Sequence, residues 1–261
     1  SHAAFFQEAA TYDLRVIPGL SDFPFLESPS KCNMEGYDCY SEVRQSYLQN
    51  LRRGFASEGN YASNLEHVIV MNEPEFKLGN VSEKLMWSGI LDVAAFCKAM
   101  ISAVDGMLDA EKEVLTATEP EDLPNFTVTF TFALCRTCSP LNTTNPLNES
   151  EQISIVPGLN QMLELQRAFL HPEGFNYTPK NNLTTFYWSR FINSFNTDVD
   201  ASIITKAFMC YYDAFFPVTP YMVEEYHAWW LAVTPDDALR KTQGQDMQAM
   251  LDLTTRHELL L

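Results

Sequence analysis

What the chain lacks narrows it first. No apolar run is long enough to span a bilayer, and even the greasiest stretch, 201–223, is broken by Lys206, Asp213, Pro217 and Pro220. Basic residues are scarce: 17 Lys and Arg stand against 34 Asp and Glu, a formal charge of -17. A surface this negative repels polyphosphate backbones and anionic lipid, so neither nucleic acid nor a membrane is an expected partner, whereas a neutral substrate suits it. The 5 histidines are scattered and no His-x-His closes a strand, so no metal and no other cofactor is expected. No segment is low in complexity, and nearly half of the 261 residues are apolar, which together exclude a disordered chain. Ser1-His-Ala-Ala-Phe-Phe-Gln-Glu8 has no basic patch followed by an apolar core, so no secretory leader is visible there.

Other features nonetheless point to an extracellular protein. Sequons for N-glycosylation begin at Asn80, Asn125, Asn142, Asn148, Asn176 and Asn182, several of them clustered between residues 140 and 185. Cys32 and Cys39 flank a loop with Gly and Asn, and Cys135 and Cys138 follow an expected strand; either pair can close a small disulfide ring. Cys97 and Cys210 sit in apolar helical patterns and are expected as buried thiols. Four cysteines around zinc is the rival arrangement, but the spacings and the absence of a second C-x-x-C argue against it.

The chain alternates strand and helix. Leu14 to Leu20 reads as a buried strand. A helix with Val43, Tyr47, Leu51 and Phe55 at i+4 spacing follows. Next comes His67-Val-Ile-Val-Met-Asn-Glu-Pro-Glu75, around which the rest is organised. Its β-branched run is too short for a helix and right for a strand buried on both faces. Pro74 cannot join a central ladder, so the strand stops with Asn72 and Glu73 at its carboxyl end. Beyond it, 85–108 has helical spacing, and 125–134 alternates Phe and Val with Thr, the clearest strand of the chain. A helix at 159–170, a strand at 186–195, a helix from Asp200, a strand at 221–228 and a helix from Thr234 complete the series. Such alternation predicts a parallel sheet with crossover helices.

Ligands of such sheets bind at the carboxyl ends of the strands, and a carboxylic acid at a strand tip is a candidate proton donor. Glu73 is one such acid. A second lies in Met222-Val-Glu-Glu-Tyr-His-Ala228, three strands further on, where alternation lets only one of Glu224 and Glu225 face inward. Two carboxylates about 5–5.5 Å apart are what glycoside cleavage with retention requires.

On these residues the chain resembles the clan of retaining glycoside hydrolases with (β/α)8 barrels, and most of all its family 5, the cellulase and mannanase group. In that clan an Asn-Glu pair ends barrel strand four, and a Glu followed by an aromatic residue ends strand seven. Asn72-Glu73-Pro74 matches the first motif and Glu225-Tyr226 the second, with His227 where Gly is commoner. The resemblance implies Glu73 as acid/base, Glu225 as nucleophile and Asn72 as a hydrogen-bond donor to the sugar 2-hydroxyl. Tyr226, Trp188 and Trp229 are the expected substrate contacts, since sugar C–H faces pack on aromatic rings.

The expected fold is therefore α/β of the TIM-barrel type in a single domain over 1–261, incomplete, with strands three to seven present. The expected activity is hydrolysis of a β-linked glucan or mannan outside the cell, with a poly- or oligosaccharide as the partner. A departure supports a catalytically inactive carbohydrate-binding or structural relative of the same fold as the alternative: the family's His residues on strands three and six are missing from Leu20-Ser-Asp22 and from Arg190-Phe-Ile-Asn-Ser-Phe-Asn196.

Overall fold

The computed structural model describes residues 2–21, 23–26, 32, 36–78, 93–116, 123–132, 158–197, 201, 204, 209, 212, 216, 221–226, 244–245 and 247–252. The chain divides into two packed units, one drawn from 1–80, 92–128 and 164–192, the other from 81–91, 129–163 and 193–261.

The first unit opens with α1 (His2–Thr11), which buries Phe6 and Ala9. Segment 14–20 and the short α2 (Phe23–Leu26) lead to α3 (Tyr40–Asn50), anchored at its start by a Cys32–Cys39 disulfide. Val43, Tyr47, Leu51 and Phe55 are all buried, as their spacing predicts. The helix widens and ends over Leu51–Phe55, where Gly54 takes φ +128. A Cβ on Gly54 would lie 2.2 Å from the Ala3 nitrogen, so the turn admits only glycine. A tight hairpin follows, β1 (Ala56–Ser57) with β2 (Asn60–Tyr61), turning through Glu58 and Gly59, both at positive φ.

Next comes β3 (His67–Asn72), with Val68, Val70 and Met71 buried. Segment 14–20 lies parallel beside it, but through isolated bridges rather than a full ladder, and Leu14 and Ile17 are exposed, so it is not the buried strand expected there. Val16 N–H donates to the Asn64 carbonyl at 2.8 Å, Ile69 N–H to the Pro18 carbonyl at 3.0 Å, and Leu20 N–H to the Ile69 carbonyl at 2.9 Å. Pro18 thus serves only as an acceptor, which suits a residue without an N–H.

After the four-residue α4 (Pro74–Lys77), the long α5 (Val93–Val114) packs against α3. Gly106 makes the crossing close, since a Cβ there would meet the Tyr40 carbonyl at 2.4 Å. The helix expected over 85–108 is thus present from 93 and runs on to 114; its expected start lies outside the described residues.

In β4 (Asn125–Phe132) the residues Phe126, Thr127, Val128, Thr129 and Phe130 are all fully buried. Burial of both faces is the mark of a parallel sheet covered on each side. The Phe126 ring meets Tyr47 of α3 at 5.9 Å and a helical Phe186 at 5.5 Å, so the phenylalanine face is the helix-packed one.

Then follow α6 (Gly158–Leu170), a 3-10 turn (Pro172–Phe175), α7 (Leu183–Arg190) and β5 (Phe191–Thr197). Here the structure corrects the sequence reading: 186–190 is helical, and the strand begins only at Phe191. Asn182 caps α7 by accepting from the Thr185 N–H, and Leu183, Phe186, Tyr187 and Arg190 form its buried stripe. Phe169 of α6 joins this stripe, 5.8 Å from Phe186 and 5.0 Å from Phe191. Each such ring contributes about 1.5–3 kcal/mol by burial.

In the second unit β6 (Tyr221–Tyr226) pairs parallel with β5. β3, β4, β5 and β6 form one parallel sheet in that spatial order, so the architecture is α/β. Ala201, Ile204, Met209, Tyr212 and Phe216, single described positions in the region read as a helix from Asp200, are all buried. Thr234, where the last helix is expected to start, lies outside the described residues, as do Cys135, Cys138 and Cys210; 244–245 and 247–252 are helical.

Candidate functional site

Glu73 stands at the strand tip the sequence predicts, as the residue immediately after β3, which ends at Asn72. It takes φ +52 and ψ +55, the left-handed region, and serves as N-cap to α4, whose first residue is Pro74. A non-glycine residue held there costs about 1–3 kcal/mol and persists only where its surroundings fix it. Those surroundings are firm: Pro74 and Leu78 are buried, and Leu78 N–H donates to the Pro74 carbonyl at 2.8 Å. Asn72 and Glu73 are both half-buried. The apolar strand thus delivers an amide and a carboxylate to its carboxyl end and turns away at once.

In the second unit, β5 carries polar side chains where a core strand normally has none. Asn193 and Ser194 are fully buried, and Asn196 and Thr197 nearly so. The Ser194 and Thr129 hydroxyls are 2.8 Å apart, and the Asn193 amide donates to the Tyr212 hydroxyl at 2.9 Å. Along β6, Ser194 pairs with Met222 and Phe195 with Val223, and the register then slips so that Asn196 pairs with Glu225 and Thr197 with Tyr226. Glu224 is the residue the register skips, an extra residue of the β-bulge type. Glu225, near the end of β6, therefore holds the backbone position opposite Asn196. The side chains of Glu225 and Tyr226 lie outside the description, as does the whole of Trp229.

Trp188, an expected substrate contact, falls within the strand the sequence predicts at 186–195. It lies instead on α7, before β5 begins, half exposed and edge-on to Tyr187 with centroids 5.0 Å apart. That places it at the amino end of β5, the end opposite to the one that bears Thr197. The aromatic run Phe186-Tyr-Trp188 looks strand-like by composition, and the helical stripe beneath it was the signal overlooked.

Two buried polar clusters also escaped the sequence reading. In the first, Arg190 of α7 donates to both carboxylate oxygens of Glu111 at 2.8 Å and to the Pro124 carbonyl at 2.8 Å. The Tyr61 hydroxyl donates to the same carboxylate, and Tyr47 lies 2.6 Å from the Tyr61 hydroxyl. Burial, followed by the neighbouring carboxylate, pushes the phenol of Tyr47 well up; burial, Tyr47 and Glu111 do the same for Tyr61. In the second, Asp105 of α5 accepts from the Tyr177 hydroxyl at 2.6 Å and from the Lys180 and Asn181 amides at 2.9 Å. Burial and the Asp105 hydrogen bond raise the Tyr177 phenol. Both clusters satisfy their own charges and tie elements together: the first fixes the entries to β4 and β5, the second pins the loop before α7. Neither offers an unpaired nucleophile or base.

Cys97 is a buried free thiol, and burial pushes it well up, which makes it inert. Among the described residues no three His, Cys, Asp or Glu side chains gather as a metal site requires, and no helix is long and apolar enough to cross a membrane. Compared with models of protein families, with curated proteins and with solved structures, the chain matches none.

Proposed function

We propose that the chain is part of a (β/α)8 barrel and acts as a retaining hydrolase of a β-linked polysaccharide. The observation that carries the reading is Glu73: a half-buried carboxylate at the carboxyl tip of a parallel strand, in a strained left-handed conformation between Asn72 and Pro74. The sheet order supports it. Neighbouring strands are consecutive in the chain and the direction of winding never reverses, as in a barrel; a doubly wound sheet has a switch point. The register supports Glu225 over Glu224.

In this mechanism the Glu225 carboxylate attacks C1 of the sugar while Glu73 protonates the departing glycosidic oxygen. Glu73 then removes a proton from water, which displaces Glu225 from C1. Asn72 donates to the 2-hydroxyl, a contact that strengthens in the transition state. No metal or cofactor takes part. The protein acts outside the cell, in keeping with its sequons and its Cys32–Cys39 disulfide.

The test is labelling by a panel of 2-deoxy-2-fluoro β-cellobiosides and β-mannobiosides with dinitrophenyl leaving groups, which trap the glycosyl-enzyme. Peptide mapping is expected to find the sugar ester on Glu225. An ester on any residue other than Glu224 or Glu225, or turnover with inversion at C1, sinks the mechanism.

The alternative, a catalytically inactive carbohydrate-binding or structural relative, draws on the segment Arg190 to Asn196, which has no histidine where the resembling family has one. It predicts saturable binding of cellohexaose or mannohexaose with no labelling at all.

A further inference from the structure

Three of the sequons fall among the described residues, and the fold treats them differently. In Asn176-Tyr-Thr178 the middle residue is buried while Asn176 and Thr178 are exposed. Asn182-Leu-Thr184 repeats the pattern, with Leu183 buried between two exposed partners. In Asn125-Phe-Thr127 the flanking residues are withdrawn as well: Phe126 and Thr127 are fully buried, and Asn125 is half-buried at the entry to β4. The carbonyl beside it, on Pro124, is taken by Arg190.

The two exposed sequons bracket one loop, held from beneath by the Tyr177, Lys180 and Asn181 bonds to Asp105. Asn176 closes the 3-10 turn at φ +52, a conformation asparagine tolerates, and its side chain makes no hydrogen bond among the described residues. Asn182 caps α7 through its Oδ1 alone, accepting from Thr185 N–H at 3.0 Å. N-glycosylation substitutes Nδ2 and leaves Oδ1 as an acceptor, so cap and sugar are compatible. A bulky hydrated sugar at either position extends into solvent, whereas Asn125 is half-buried and the Thr127 hydroxyl of its sequon is fully buried.

We propose that Asn176 and Asn182 are N-glycosylation sites and that Asn125 is left unmodified. The donor is a lipid-diphosphate-linked oligosaccharide. The asparagine Nδ2 forms a bond to C1 of the first sugar and gives up one proton, the C1–O bond to phosphate breaks, and the lipid diphosphate leaves. Nothing is oxidised or reduced. The inference rests on passage through a secretory compartment and not on the hydrolase mechanism, so the two stand or fall separately.

The test is expression of the chain behind a cleavable leader in a eukaryotic host, with protein recovered from the medium and the microsomal lumen. Release of glycans by peptide N-glycanase in heavy-oxygen water converts each modified asparagine to labelled aspartate, read by peptide mass spectrometry. Label is expected at 176 and 182 and absent at 125. The variants Asn176→Gly and Asn182→Asp should each remove one glycan step from gel mobility. They are chosen to preserve the fold, since glycine suits positive φ and aspartate caps as well as asparagine. Thr178→Val and Thr184→Val should remove the same steps with the asparagines intact. Lack of label at 176 or 182 in leader-cleaved, disulfide-bonded protein overturns the proposal, and so does label at 125.

Discussion

Replacing Arg190 by methionine tests how the first unit is held together. The native guanidinium makes two 2.8 Å bonds to Glu111 and a third to the Pro124 carbonyl, and the two side chains are 5% and 6% exposed. Methionine keeps an apolar stem of similar length but gives up the guanidinium, whose central carbon stands 4.8 Å from the Phe126 ring centroid. Among the described residues it removes the one cation on the buried Glu111 carboxylate, which keeps the Tyr61 hydroxyl. Breaking a buried pair from one side costs about 3–5 kcal/mol, against a whole-domain stability of about 5–15 kcal/mol. With a urea m-value of about 2 kcal/mol per molar, the unfolding midpoint should fall by about 2 M. The double variant Arg190→Met with Glu111→Leu removes both charges and should recover most of the loss, since an apolar pair is often as stable as the ion pair it replaces. Urea melts followed by circular dichroism and tryptophan fluorescence read both quantities. A single variant within about 0.5 M of wild type would refute the reasoning. So would a double variant no better than the single, because the cost would then not be that of an orphaned charge.

Three further outcomes are expected. In an active protein, Glu73→Gln should lose most activity on poor leaving groups and retain some on activated aryl glycosides, whereas Glu225→Gln should lose both; equal loss on both substrates from either variant would remove the division of roles. Gly106→Ala should lower stability by about 1–3 kcal/mol, because its Cβ would meet the Tyr40 carbonyl at 2.4 Å and the Arg44 nitrogen at 3.1 Å; an unchanged thermal midpoint would mean that the α3–α5 crossing is looser than described. Burial lowers the pKa of His67, outweighing the opposing pull of Glu66. Below the ordinary histidine range the unfolded chain then binds the proton and the folded one resists it, so stability should fall as pH drops from about 6.5 towards the folded pKa. His67→Phe should flatten that slope in urea melts taken from neutral to mildly acid pH, and an unaltered slope would assign it to other groups.

The parts of the fold legible in the sequence are those written by period and by breaker. The apolar run of β3 closed by Pro74, the Phe–Thr alternation of β4 and the i+4 row from Val43 to Phe55 each specify their element from neighbouring residues alone. The helix α7 was misread because its sequence is rich in residues that favour strands, Thr184, Thr185, Phe186, Tyr187 and Trp188. What decides the matter is the cap at Asn182 and the buried stripe Leu183, Phe186, Tyr187 and Arg190. The small hairpin at 56–61 was passed over since Glu58-Gly59 is a weaker turn signal than Asn-Gly. Of the candidate site, the place of Glu73 at a strand tip was legible, but its left-handed backbone was not. The polar clusters lay beyond reach for a plainer reason. Glu111 and Arg190 are 79 positions apart, and Asp105 and Asn181 are 76 apart. No local pattern announces such a pairing, which exists only once the helices have packed.

The clamp at Asp105 has a consequence for motion. Four donors fill the acceptor directions of this carboxylate: the Tyr177 hydroxyl, the Lys180 and Asn181 backbone amides, and the Asn181 side-chain amide at 2.7 Å. None of the four donors is itself charged, so the buried negative charge is balanced by fixed dipoles, which dissolved salt screens far less than an exposed ion pair. Raising the ionic strength should therefore weaken the Arg44–Glu113 bridge, whose side chains are 35% and 37% exposed, while the 176–182 loop stays docked. The Lys180 and Asn181 amide protons belong to a loop, yet each is bonded to Asp105, so their exchange with deuterium waits on release of that clamp. In an exchange experiment this loop should keep time with the helix beneath it rather than with the other loops.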